Sequence, residues 1–85
     1  MVTLQYTIKD PAGIHARPAG LLSKTAKAFR SEVLIEKDGS TVNASKLMML
    51  MGMGIRCGET ITITVQGEDE SEAAEAIKAF LSEHL

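Results

Sequence analysis

The segment Gly13-Ile14-His15-Ala16-Arg17-Pro18-Ala19 gathers the residue types in this chain that could do chemistry. A histidine stands two residues before an arginine. The proline that follows fits the first turn of a helix, where its missing N–H costs nothing. His15 then falls at or beside the N-cap. The unpaired N–H groups of such a helix end carry partial positive charge and form a natural anion site. That field opposes a positive charge on the ring, and neutral imidazole is the nucleophilic form. A phosphoryl group taken up by His15 would lie against the helix end at Ala16, Arg17 and Pro18. The backbone donors there and the Arg17 guanidinium could then bond its oxygens. A lone His-x-Arg would read as a helix cap beside a solvated arginine; Gly13 before it and Pro18 after it set this pair apart. One arginine and a few backbone donors on an open surface suit reversible transfer, since each ~1.4 kcal/mol of extra stabilisation tilts the equilibrium tenfold. Neither a metal nor a cofactor is required when a donor protein brings the group already activated.

The elements that must position this segment follow from periodicity. Val2, Leu4, Tyr6 and Ile8 alternate with Thr3, Gln5, Thr7 and Lys9, which predicts a strand over 2–9 with one buried face. Asp10-Pro11-Ala12-Gly13 breaks it. Helical spacing then runs from Ala16 to Phe29, with Ala19, Leu22, Ala26 and Phe29 on the core arc. Glu32–Lys37 and Thr41–Asn43 read as strands joined by a hairpin at Asp38-Gly39. A short helix is expected over Ser45–Met53, a strand over Thr60–Gln66 and a last helix over Asp69–Glu83. The apolar stripe of that last helix is Ala73, Ile77, Phe80 and Leu81. Glu68, Asp69, Glu70 and Glu72 crowd its start, where the helix dipole favours negative charge, and it reads as a solvated, well-capped helix. The order is βαββαβα, and antiparallel strands with helices over one face bury the three stripes.

With 85 residues the chain has room for one domain, spanning 1–85. A net charge of −2 and only Tyr6, Phe29 and Phe80 as aromatics give no footprint for nucleic acid. The first residues show no signal-peptide pattern, so none is expected, and the apolar run from Leu47 to Gly54 is too short to span a bilayer. Cys57 is the only cysteine, which rules out an internal disulfide and fits a cytoplasmic protein. Cys57, His15 and His84 lack metal-ligand spacing, so no metal site is expected. His84 reads as a favourable partner for the last helix's C-terminal dipole. Without paired carboxylates, a nucleophile–base pair or a Gly-rich phosphate loop, the chain is not expected to be an enzyme.

Gly-Ile-His-Ala-Arg-Pro-Ala, with Thr41-Val42-Asn43-Ala44 and Gly58-Glu59-Thr60-Ile61-Thr62-Ile63, resembles HPr over essentially the whole chain. HPr is the histidine-containing phosphocarrier of the bacterial phosphoenolpyruvate-dependent sugar phosphotransferase system. The resemblance implies an α+β open-faced β-sandwich, a four-stranded antiparallel sheet with three helices on one face. It implies that enzyme I donates a phosphoryl group to Nδ1 of His15 and that enzyme IIA domains of sugar permeases receive it. HPr-like paralogues that lack the histidine cannot be carriers; this chain has it.

A shuttle must meet several partners through one face, and a monomer is expected for it. Arg17, Gly20, Lys24 and Lys27 fall within an arc of roughly 80° on the first helix. Leu47-Met48-Met49-Leu50-Met51 runs all the way round a short helix. Leu50 is expected in the core and Leu47, Met48 and Met51 in an exposed patch able to repack against different partners. By resemblance, Gly20, Lys24, Lys27, Leu47, Met48 and Met51 contact enzyme I and enzyme IIA. The resemblance also puts Lys46 where many Gram-positive members carry a regulatory serine, with Ser45 one residue earlier. Ser45 reads as a helix N-cap, Lys46 as added charge on the docking rim, and regulation through serine is not expected. Two alternatives remain. One is a carrier for a nitrogen-regulatory or dihydroxyacetone-kinase branch. The other is a regulatory module that docks on a transcriptional regulator or an enzyme without transferring anything.

Overall fold

The computed structural model describes all residues from Met1 to Leu85. Seven elements follow one another: β1 (Val2–Thr7), α1 (Ala16–Lys27), β2 (Glu32–Lys37), β3 (Ser40–Asn43), α2 (Leu47–Gly52), β4 (Thr60–Gln66) and α3 (Glu70–His84). The strands form one antiparallel sheet in the order β1-β4-β2-β3. Its inner face supplies Val33, Ile35, Ile61, Ile63 and Val65, which are buried with Leu22, Ala26, Ile77 and Leu81 from the helices. The other face carries the threonines of β1 and β4 together with Gln5, Glu32, Leu34 and Glu36. This is the α+β open-faced sandwich that the alternating pattern and the resemblance predict.

Several boundaries differ from the sequence reading, each for a local reason. β1 ends at Thr7, not Lys9, because the Lys9 and Asp10 N–H groups turn to the Leu85 carbonyl at 2.6 and 2.9 Å. As an edge strand it leaves Val2, Leu4 and Tyr6 half-buried, and only Ile8 is fully enclosed. Helix α1 stops at Lys27, since the next two N–H groups bond three residues back, to Thr25 and Ala26. Phe29 therefore lies just past the helix, half-buried but packed against the core, and Ser23 is buried on α1 as well. The β2–β3 turn carries positive φ at both Asp38 (51°) and Gly39 (83°), the geometry of a two-residue hairpin, and β3 gains Ser40. Helix α2 spans Leu47–Gly52 rather than Ser45–Met53. Its N-cap is Lys46, not Ser45; the Ser45 hydroxyl instead donates to Asn43 Oδ1 at 2.7 Å.

Helix α3 begins at Glu70 and reaches His84. Asp69 sits at its N-cap, its carbonyl accepting the Ala73 N–H at 2.9 Å while its side chain makes no bond to the helix. Its carboxylate instead accepts the Ser31 hydroxyl at 2.6 Å, the Arg30 N–H at 3.0 Å and the Ser31 N–H at 2.9 Å, tying α3 to the start of β2. The Ser31 hydroxyl, then the Arg30 N–H, hold the Asp69 carboxyl below the usual range. Glu59 is lowered by the Lys37 ammonium and the Arg56 N–H, and Glu70 by the chain's amino terminus and the Gly67 N–H. All three carboxyls have folded-state values below their unfolded ones. The unfolded chain thus binds more protons in the window beneath roughly pH 4, and stability falls as pH drops through the folded values. The denaturant midpoint is therefore expected to stay level from neutral pH to about pH 5 and decline below about pH 4. Asp69→Asn should be less stable at neutral pH and show a shallower acid decline; a decline as steep as the parent's would remove Asp69 from this account.

Candidate functional site

The turn before α1 is built by one aspartate. Asp10 Oδ1 accepts the Ala12 N–H at 2.8 Å and its carbonyl accepts the Gly13 N–H at 2.9 Å. Gly13 then takes φ +69°, a conformation L side chains rarely adopt. A Cβ there would run into the Ile55 carbonyl oxygen and come within 2.8 Å of Arg56 Cα. That close approach lets the Ile14 N–H reach the Ile55 carbonyl at 3.0 Å while the Ile14 side chain enters the core. The receiving loop is braced in turn. Lys37 Nζ donates to Glu59 and to the Gly54 carbonyl, and Glu59 Oε1 accepts the Arg56 N–H at 2.6 Å.

His15 follows with extended backbone (φ −94°, ψ −179°) and is the N-cap of α1, as the spacing predicts. Its carbonyl accepts the first helical bond, from Ala19 at 2.9 Å, but its side chain caps nothing. The N–H groups of Ala16 and Arg17 have no intrachain partner, and Pro18 has none to offer. The ring is 46% exposed, with no hydrogen bond to either nitrogen, and Arg17 is exposed beside it. Pro18 is buried and fixes the helix start. Imidazole, guanidinium and two free backbone donors therefore converge on one open surface.

Two neighbours were not anticipated from sequence. Asp10 Oδ2 lies 3.7 Å from His15 Nε2, so a carboxylate and the positive helix end act on the ring with opposite sign. His84 lines the same groove of about 210 Å³, together with Asp10, His15, Arg17, Pro18 and Leu21. The Asp-Pro signal marks a turn without saying where the carboxylate points. The place of His84 depends on the return of α3 across the sheet, which no local pattern encodes.

The basic stripe is exposed at Lys24 and Lys27, and a Cβ on Gly20 would meet nothing within 4 Å. The Ser23 hydroxyl donates to the Ser45 carbonyl at 3.0 Å, setting the start of α2 beside α1. On α2, Leu50 is buried and Met48 is 78% exposed, as expected. Leu47 is half-buried against the core rather than exposed, and Met49, left out of the expected patch, is 58% exposed. The helical step explains both. With Leu50 facing inward, Leu47 lies about 60° away, Met49 and Met51 about 100° to either side, and Met48 nearly opposite. Lys46 is exposed at the head of this helix.

The family model described as the PTS HPr component phosphorylation site matches residues 2–83. The chain is 48% identical to the HPr-like protein Crh of Halalkalibacterium halodurans over 95% of this chain and 96% of that protein. It is 44% identical to the phosphocarrier protein HPr of Mycoplasma pneumoniae over 99% and 97% of the two chains. A solved mycoplasma histidine-containing phosphocarrier protein superposes with a TM-score of 0.93 at 35% identity, covering 96% of this chain and 93% of that one.

Proposed function

The chain belongs to the HPr family of phosphocarriers and HPr-like regulatory proteins, and from that premise we propose that His15 accepts a phosphoryl group from phospho-enzyme I and passes it to enzyme IIA domains of sugar permeases. The observation that carries this reading is the state of His15: exposed, without hydrogen bonds, at the unpaired N–H end of α1 and beside Arg17. In the transfer, the His15 Nδ1 lone pair attacks phosphorus as the bond to the donor's leaving atom breaks. Nε2, on the Asp10 side, keeps the ring proton. The Ala16 and Arg17 N–H groups and the guanidinium then bond phosphoryl oxygens. Delivery to the acceptor is the same step reversed. The protein acts as a carrier rather than as an enzyme with turnover of its own. No helix is long and apolar enough to cross a membrane, and a cytoplasmic place of action belongs to this reading.

Gly20, Lys24, Lys27, Lys46, Leu47, Met48 and Met51 form the partner face in this proposal, with Met49 added by its exposure. Glycine within a helix costs about 1 kcal/mol relative to alanine, and nothing in the chain crowds this position. Gly20→Ala should therefore raise the thermal midpoint by a few degrees while slowing transfer from phospho-enzyme I, since its methyl stands in the docking face. A stabilised variant with an unchanged rate would take Gly20 out of that face. Met48→Glu puts a carboxylate on the most exposed point of the apolar patch. It should slow transfer about tenfold or more with the fold unaltered, and equal rates would count against the patch.

The 48% identity to an HPr-like Crh protein supports a second reading, a regulatory module that docks without transfer. Under it, His15→Ala would leave every activity intact. Carrier duty in a nitrogen-regulatory or dihydroxyacetone-kinase branch would keep the His15 chemistry and change only the acceptor. The shuttle is proposed to work as a monomer. Crh of Bacillus subtilis was solved as a dimer with a swapped domain, so sedimentation of the phosphorylated and free forms tests this point.

A further inference from the structure

Phosphorylation of His15 would bring two negative charges into a groove that already holds the Asp10 carboxylate. On the α1 side the compensating groups are the Ala16 and Arg17 N–H donors and the Arg17 guanidinium. The α3 side of the same groove is closed by one polar side chain, His84. Its ring is placed from both ends. It lies against Phe80 with centroids 4.6 Å apart, and the residue after it, Leu85, is buried with its carbonyl accepting the Lys9 and Asp10 N–H groups. Those two bonds fasten the last turn of α3 to the loop that carries Asp10. The imidazole thus stands exposed at the edge of the anion site, on backbone anchored by the Leu85 carbonyl and by its own stack on Phe80.

From this we infer that His84 is a positioning residue for the phosphorylated state, donating a ring N–H to a phosphoryl oxygen on His15 from the side opposite Arg17. The inference rests on the reading of His15 as the phosphoryl acceptor. The titratable groups that line a groove together with His84 are Tyr6 from β1, Lys9 and Asp10 from the β1–α1 loop, His15 and Arg17 at the start of α1, and Glu83 beside it on α3. In the unphosphorylated protein Asp10 is engaged with the Ala12 N–H and lies 3.7 Å from His15 Nε2, and the His84 ring N–H is left free for the phosphoryl group.

The experiment loads His15 with phosphoramidate, a small donor whose P–N bond breaks with release of ammonia, and confirms the phosphohistidine by phosphorus NMR. The ring nitrogens of His84 are then followed by nitrogen-15 NMR before and after loading. In parallel, wild type and His84→Phe are mixed in equal amounts with a catalytic quantity of enzyme I and enough phosphoenolpyruvate to charge half of the total, and the phosphoryl group is allowed to distribute. Phe keeps the stack on Phe80 and removes the donor, so the fold is retained. The His84 resonances should move on loading, and wild type should hold about three- to tenfold more phosphoryl group than His84→Phe, with His84→Gln recovering most of the difference. Equal sharing, or His84 resonances that stay in place in a protein loaded at His15, overturns the inference. Failure of His15 to take a phosphoryl group from either donor overturns the reading beneath it instead.

Discussion

Gly13→Ala should lower the thermal midpoint by roughly 10–25 °C, although it adds a single methyl group. The position holds φ +69°, where an L side chain costs about 1–2 kcal/mol in the backbone alone. The added Cβ would also run into the Ile55 carbonyl and the Arg56 backbone, which cannot swing aside as the end of a flexible side chain could. Together these terms come to about 2–4 kcal/mol, a large part of the stability of a domain this size. The damage is also directed. Relief of the clash requires the 54–59 loop or the 10–14 turn to move, which breaks the Ile14–Ile55 bond and shifts His15 away from the α1 N–H groups. Phosphoryl transfer by the surviving folded fraction should therefore fall as well. Gly20→Ala is the internal control, the same substitution in the same chain with the opposite sign in stability. A Gly13→Ala midpoint close to the parent's would mean that the turn does not have the tight approach described here.

His15→Ala should remove all acid-labile phosphate and leave the fold untouched. The side chain is half exposed, caps nothing and makes no hydrogen bond, so its loss should change stability by less than about 0.5 kcal/mol. Chemistry and scaffold separate cleanly at this position. Docking should separate as well, because the basic stripe and the methionines lie on other residues: the variant should still bind enzyme I while accepting nothing from it. Retained cellular activity in His15→Ala would instead favour the docking module without transfer. Unfolding of the variant would show that His15 has a structural part that its contacts do not reveal.

Much of this architecture was legible because each element carries its own period. Ile61, Ile63 and Val65 alternate with threonines, and all three lie fully buried on the inner face of the sheet. Asp38-Gly39 marked the hairpin because few other pairs supply two positive φ values. His15 was found at a helix mouth because Pro18 limits where that helix can start. What sequence missed depends on contacts between distant elements. Phe29 packs against the core as its spacing predicts, but the helix closes two residues before it. Ser45 has the right chemistry for a cap, yet Asn43 claims its hydroxyl and the helix starts later. Leu47 is half-buried where exposure was expected, and Met49 is exposed where nothing was assigned, because a continuous apolar run does not state which side chain turns inward; the burial of Leu50 decides it. Asp10 and His84 complete the groove through a turn and a returning helix, neither of which leaves a periodic mark.

The most direct measurement is incubation of the purified protein with enzyme I and phosphoenolpyruvate, followed by phosphorus and nitrogen-15 NMR of the product. The account predicts one acid-labile phosphate per chain, bonded to Nδ1 of His15 and discharged on addition of an enzyme IIA domain. An unphosphorylated His15 in the presence of an enzyme I that charges a reference phosphocarrier would contradict it.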